Sequence, residues 1–363
     1  MFDPRQAAKL IAVNALVLVL LALLVEGGSR VYLACNGTPR QQGQKRVPAE
    51  RLHAEYDPLL GWINRKNVVI DDMYGPGIFL RTNGQRFRNE ADFAPEVPAG
   101  KIRVICSGDS FTLGYGVSND DAWCNRLARL DPGIEAVNMG QGGYGVDQSF
   151  LWYERDGAAL KHDIHVFAFI AADFRRMRSN FRGFGKPVLR LRDGQISVEN
   201  VPVPVASDPD AGGFLHDLAI LKVLGRDVSA DRSAGDAPPS DTREIVGLVR
   251  ALVDRIDALG RERNAKVLLV HLPTLRDHPP PRQGPALRQV REQARRRELA
   301  YLDLTEAMRV LPAEQARSLF ILAPVNDYYR ARGHYNEAGH AFVAERILDA
   351  LREHGFVPAQ PAE

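Results

Sequence analysis

Three short stretches of this 363-residue chain bring reactive side chains to glycine-rich turns. They are SGDSFTLGYG (Ser107 to Gly116), NMGQGGYGVDQ (Asn138 to Gln148) and RGHYNEAGHAF (Arg332 to Phe342). Ser110 lies just past an apolar run and just before a helical one, where free backbone N–H groups favour negative charge. A hydroxyl so placed can attack an acyl carbon while its own N–H and a neighbour's hold the oxyanion. Asp109 and Ser110 are also common helix caps, so the tripeptide alone does not separate the two uses. In the second stretch Gly140, Gly142 and Gly145 have the G-x-G-x-x-G spacing of a dinucleotide fingerprint. The acid that should follow, Asp173, comes 28 positions after Gly145, instead of about 20, which disfavours a nucleotide site. The alternative use of Gly140 or Gly142 is to bring an N–H close to a developing oxyanion. In the third stretch His334 precedes a helix, and a histidine held over a nucleophile acts as general base.

The surrounding elements alternate strand then helix. Lys101–Ser107, Ile134–Met139, His165–Ala172, Lys266–Leu272 and Leu299–Leu304 are short apolar runs suited to buried strands. Helical stretches fall around Ala122–Leu130, from Asp147, from Asp241 to Leu259 and from Glu337 to Glu353. This alternation predicts an α/β fold, a parallel sheet covered on both faces, with ligands at the carboxyl ends of the strands. The stretch Pro187–Pro204 alternates apolar and polar residues about Asp193-Gly194 and predicts a β-hairpin insert. The region from His53 to Phe93 is broken by Gly and Pro and reads as an extended lead-in.

Taken together, the motifs resemble the SGNH (GDSL-type) hydrolase superfamily, in the manner of a bacterial membrane-anchored subgroup. Gly108-Asp109-Ser110, backed by Phe111-Thr112, match its first block. Gly140 or Gly142, led in by Asn138, match its second, and His334, Asn336, Gly339 and His340 meet the final H-x-N-x-x-G-H in full. The resemblance covers most of the chain, including a lead-in with Gly61-Trp62 and Asn83-Gly84. It implies a three-layer α/β/α flavodoxin-like fold, with Ser110 and His334 catalytic. It also implies an oxyanion hole from the N–H groups of Ser110 and Gly140 or Gly142, and substrate contacts from Asp109, Asp173 and Asn336. Two departures stand out. The third block, normally G-x-N-D, reads Ile170-Ala171-Ala172-Asp173, and losing such an asparagine donor commonly costs roughly 10²–10³ in turnover. The acid expected two or three positions before the histidine is replaced by Ala331 and Arg332. Asp327 is the nearest upstream candidate for the third catalytic residue, and Glu337 lies within the motif.

The expected activity is hydrolysis of an acyl ester, such as an O-acetylated envelope glycan. Acyl transfer to a sugar hydroxyl would use the same residues. A non-catalytic glycan-binding or assembly protein is the reading in which Ala172 and the missing acid have ended catalysis. A working site requires Ser110 Oγ within ~4 Å of His334.

Composition sets the remaining limits. The 47 basic and 45 acidic side chains leave a formal charge of +2, and a pI near 8.4 gives no case for nucleic acid. Aromatics at 8% and a mean hydropathy of −0.24 exclude a polytopic membrane protein and a wholly disordered chain. The uncharged run from Leu10 to Val25, preceded by Arg5 and Lys9 and followed by Glu26 and Arg30, predicts a lipid-bilayer anchor. The flanking positive charge predicts a cytoplasmic N-terminus at a bacterial inner membrane, with the rest periplasmic. A retained anchor fits better than a cleaved signal peptide, or a lipoprotein signal ending at Cys35. The expected segments are 1–35 anchor and flank, 36–99 linker and lead-in, 100–356 α/β domain with its insert at about 183–240, and 357–363 tail. Cys35, Cys106 and Cys124 lie far apart, which argues against a disulfide framework and a structural zinc site. No metal or cofactor is expected, since His271 and His278 lack further ligands at regular spacing. Arg175, Arg176, Arg178 and Arg182 could attract an anionic substrate or lipid headgroups, but a solvated loop is the expected reading, as a solvated helix face is for Arg295–Arg297. The oligomeric state is left open.

Overall fold

A computed structural model describes residues 4–36, 49–180, 184–205, 241–277, 284–322 and 331–359. The chain divides into two compact units, Met1–Arg46 with Ala206–Gly235, and Val47–Val205 with Asp236–Glu363. In the first unit a single helix, α1 (Pro4–Asn36), is described. It runs well beyond the expected apolar stretch, through Gly27 and Gly28. Its segment Ala12–Val31 is long and apolar enough to cross a membrane, and Leu16, Leu18, Leu23 and Leu24 are exposed along it. Local hydrogen bonds absorb its few polar groups: Asn14 Nδ2 donates to Leu10 O at 2.9 Å, and Arg30 pairs with Glu26 one turn away.

The second unit opens with a small antiparallel pair, β1 (Ala54–Asp57) and β2 (Gly61–Asn64). The α/β alternation then follows: β3 (Ile102–Gly108), α2 (Ser110–Leu113), α3 (Trp123–Leu130), β4 (Ile134–Gly140), α4 (Val146–Trp152), β5 (Ile164–Phe169) and α5 (Ala171–Arg176). A hairpin, β6 (Val188–Arg192) and β7 (Gln195–Glu199), leads to α6 (Thr242–Arg263), β8 (Lys266–His271), α7 (Pro285–Arg296), β9 (Ala300–Asp303) and α8 (Glu337–Glu353). Five strands form one all-parallel sheet in the order β4-β3-β5-β8-β9. This is the 2-1-3-4-5 order of a flavodoxin-like fold, with its topological switch between β3 and β5.

Period-2 alternation sends neighbouring residues of each strand to opposite faces. Ile105, Phe167, Phe169 and Leu269 pack with α4, α6 and α7 on one face; Val104, Val166, Leu268 and Val270 pack with α3 and α8 on the other. In α6 the apolar positions Ile245, Leu248, Val249, Leu252, Val253, Ile256 and Leu259 recur at helical spacing, forming the stripe that covers the sheet. The expected three-layer architecture is what the chain forms. The hairpin also forms, turning at Asp193 and Gly194, both at positive φ, as a two-residue turn of the primed type requires.

The cysteine expectation is corrected. Cys106 on β3 and Cys124 on α3 form a disulfide, with Cα atoms 6.1 Å apart. Their separation of 18 residues gave no local signal. The alternation of β3 aims Cys106 at the face that α3 covers, so the packing of strand against helix makes the pair.

The lead-in is built into this unit. Trp62 is fully buried and its Nε1 donates to Gly142 O at 3.0 Å, while Gln148 Nε2 donates to Leu60 O at 2.7 Å.

Candidate active site

Ser110 begins α2 directly after β3. Asp109 caps this short helix, its Oδ1 accepting from Phe111 N at 2.9 Å. As the first helical residue Ser110 has no intrahelical partner for its N–H, and that N–H makes no hydrogen bond among the described residues. The far end of α2 is clamped by Arg88, a fully buried guanidinium from the lead-in. Arg88 donates to the carbonyls of Leu113 and Gly114 at 2.5 Å and of Val117 at 2.5 Å, and to Asn119 Oδ1 at 3.0 Å. Arg88 is not among the residues expected from sequence, where its one signal is faint, an arginine five residues beyond Asn83.

His334 arrives from the opposite end of the chain. It is held by backbone bonds to Ile321 and Ala331 and lies against the rings of Phe111 and Tyr115. Its Nε2 is 2.8 Å from Ser110 Oγ, and its Nδ1 is 3.1 Å from Ala331 O. A carbonyl oxygen only accepts, so Nδ1 carries the proton and Nε2 presents its lone pair to the serine hydroxyl. The backbone carbonyl thus orients the imidazole, as a carboxylate would in a triad. Asp327 lies outside the described residues. Burial pushes the His334 imidazole from 6.5 down to about 4, against the nearby Asp109 carboxylate, which pulls it up; the ring is neutral at pH 7.

The glycine-rich turn differs from the expectation. The Gly140 N–H donates to Asn138 Oδ1 at 3.0 Å, and that of Gly142 to Gln141 Oε1 at 2.7 Å, so both donors are taken. Gly140 instead permits a close approach: a Cβ there would sit 2.0 Å from Leu113 N. Gly143 is the residue that lines the cavity beside Ser110, with φ +78° and an N–H that bonds nothing among the described residues. Which of several adjacent glycines turns inward depends on where Trp62 and Asn138 hold the loop, and the spacing alone does not reveal it.

The three residues expected to contact substrate have other partners. Asn336 caps α8, its Oδ1 accepting from Gly339 N at 3.0 Å and its Nδ2 donating to Ser318 O at 2.7 Å. Asp109 and Asp173 are buried beneath the site, bridged by Arg176. Its Nη1 bonds Asp109 Oδ2 at 2.9 Å, Asp173 Oδ1 at 2.5 Å and Tyr144 O at 2.6 Å. Burial, then the Asp109 charge, pushes the Asp173 carboxyl well above its usual range, against the pull of Arg176. Arg176 is therefore no member of a solvated loop; it is largely buried. Arg182 and His278 lie outside the described residues. His340 accepts from Trp123 N at 3.1 Å in the core and does not reach the serine.

Ser110, His334, Gly143 and Ala172 border one cavity of about 1060 Å³ at the carboxyl ends of the strands. Ala172, near the start of α5, contributes only a methyl group to that lining. The arrangement is a serine hydroxyl in contact with an imidazole, beside two N–H groups that bond nothing among the described residues.

No protein-family model and no curated protein matches the chain. Solved structures similar to it include a lipase/acylhydrolase from Enterococcus faecalis, 14% identical with TM-score 0.40 over 72% of this chain and 100% of that one. A member of the lipolytic G-D-S-L family from Veillonella parvula is 16% identical with TM-score 0.36, over 68% and 97% of the two chains. An acetylxylan esterase from Geobacillus stearothermophilus is 18% identical with TM-score 0.39, over 73% and 100%.

Proposed function

We propose that this chain is an exported, membrane-anchored serine esterase that removes acyl groups, such as O-acetyl, from an envelope glycan. The observation that carries this reading is the 2.8 Å contact between Ser110 Oγ and His334 Nε2 at the wall of an open cavity. Ser110 Oγ attacks the ester carbonyl carbon as its proton passes to His334 Nε2. The N–H groups of Ser110 and Gly143 receive the oxyanion. The tetrahedral intermediate collapses with cleavage of the bond to the alcohol, which leaves with the proton from His334. Water, deprotonated by the same nitrogen, then attacks the acyl-serine and releases the carboxylic acid. The span Ala12–Val31 supports the anchor, and the Cys106–Cys124 bond supports an oxidising compartment.

The test is incubation with p-nitrophenyl acetate and a serine-directed fluorophosphonate probe. Wild type should turn over the ester and label, and Ser110→Ala should do neither. Absence of labelling in wild type, or equal labelling of the variant, would overturn the reading and favour a non-catalytic role.

A further inference from the structure

The whole chain carries an excess of only two positive charges. The cavity around Ser110 concentrates more than that. Among the described residues its charged lining is Arg175, Arg176, Arg178, Arg276 and Arg332 against Glu50 and Asp277, an excess of three. Not all of these are available. Arg176 is committed to Asp109 and Asp173, Arg178 bonds Thr242 Oγ1, and the Asp277 carboxylate is taken by the Thr274 N–H and hydroxyl at 2.7 Å. What remains of the charged lining is the Glu50 carboxylate and three exposed guanidiniums, each of the three from a different element. Arg175 is on α5, Arg276 on the turn after β8, and Arg332 two residues before His334.

None of the three has an acidic partner among the described residues. Elsewhere in this unit some exposed arginines face an acid, as Arg309 faces Glu306 and Arg297 faces Asp254. Others, such as Arg243 and Arg317, have no acidic partner among the described residues; what sets the three apart is that they share one opening. Three like charges held around one opening repel one another unless an anion joins them. A small acyl group at Ser110 fills only a minor part of a cavity of about 1060 Å³, so the alcohol part of the ester must extend past this rim.

Resting on the esterase reading, we propose that the substrate is an O-acylated acidic saccharide, with carboxylates borne on the sugar units that Arg175, Arg276 and Arg332 contact. Guanidinium forks match carboxylates in charge and in shape. Three of them on separate elements suit charges repeated along a sugar chain better than the single phosphate of a lipid headgroup.

The test uses the detergent-solubilised full chain and three probes: O-acetylated oligogalacturonides, O-acetylated xylo-oligosaccharides and p-nitrophenyl acetate. The expected kcat/KM is at least about tenfold higher for the acidic than for the neutral oligosaccharide at low salt, with the preference fading in 0.5 M NaCl. In Arg175→Gln/Arg276→Gln/Arg332→Gln the ratio of the two values should fall toward one, and the fraction of folded enzyme cancels from that ratio. Equal rates on both oligosaccharides, or a preference that survives in the triple variant, would overturn the proposal. So would release of fatty acid from phosphatidylglycerol vesicles with neither oligosaccharide cleaved. If p-nitrophenyl acetate is hydrolysed and the probe labels Ser110 without any charge preference, only this inference fails. If neither reaction occurs, the esterase reading fails and takes this inference with it.

Discussion

His334 is held neutral by burial, with its titration pushed down to about 4. As the proposed general base it stays unprotonated through the neutral range, so the acid limb of kcat/KM for p-nitrophenyl acetate should lie near pH 4. A limb near 6.5 would contradict the burial that places it there. Arg176 contributes to the low value, since its positive charge disfavours a second cation on the ring. In Arg176→Met that repulsion is gone, and the limb should move to higher pH. The same variant leaves Asp109 and Asp173 facing each other without a counter-charge, which should cost about 3–5 kcal/mol of stability in denaturant titration. Ala172 offers the opposite experiment. Ala172→Asn returns an amide donor to the cavity wall and should raise kcat more than it changes KM, because an oxyanion contact acts mainly in the transition state.

Two of the elements around the site depend on contacts between parts of the chain far apart in sequence. The disulfide ties β3, the strand that leads into the Ser110 turn, to α3. A closed loop of this length contributes about 3 kcal/mol, which corresponds to a loss of roughly 6–12 °C in Tm for Cys106→Ala/Cys124→Ala, measured by differential scanning calorimetry. An unchanged Tm would mean that packing alone sets the register. Arg88 is the second tie: its guanidinium satisfies carbonyls at the end of α2 that no other described side chain reaches. Arg88→Met should destabilise the fold by several kcal/mol through those orphaned carbonyls, and should lower kcat in whatever fraction remains folded.

Over the whole molecule, protonation sets where the fold is stable. Burial lowers His53 to about 4, as it does His334, and pushes His165 and His340 well below the usual value. In the unfolded chain these rings bind protons below about 6.5. Between there and about 4 the unfolded state therefore holds more protons than the folded one, so stability rises with pH across that window and falls as the medium is acidified. Urea titrations at pH 7 and pH 5 should show the lower midpoint at pH 5. The anchor is tested separately: carbonate-washed membranes should retain the full chain, whereas deletion of residues 1–36 should release it.

Fold and site were legible from sequence to different depths. The alternation of apolar runs fixed the parallel sheet and its two covered faces, because strand and helix periodicities are local properties of the chain. Motif order brought Ser110 and His334 forward as partners, and the geometry has them in contact. Other features are set by the neighbours that tertiary packing supplies. Gly143 turns inward because Asn138 and Gln141 occupy the N–H groups of Gly140 and Gly142. The Ala331 carbonyl orients His334 where no carboxylate stands two or three residues upstream. Arg176 is drawn into the interior by two buried aspartates, and Cys106 meets Cys124 across a strand–helix interface. A hydrogen bond or a disulfide between distant residues leaves no period in the sequence, so only the folded chain decides it.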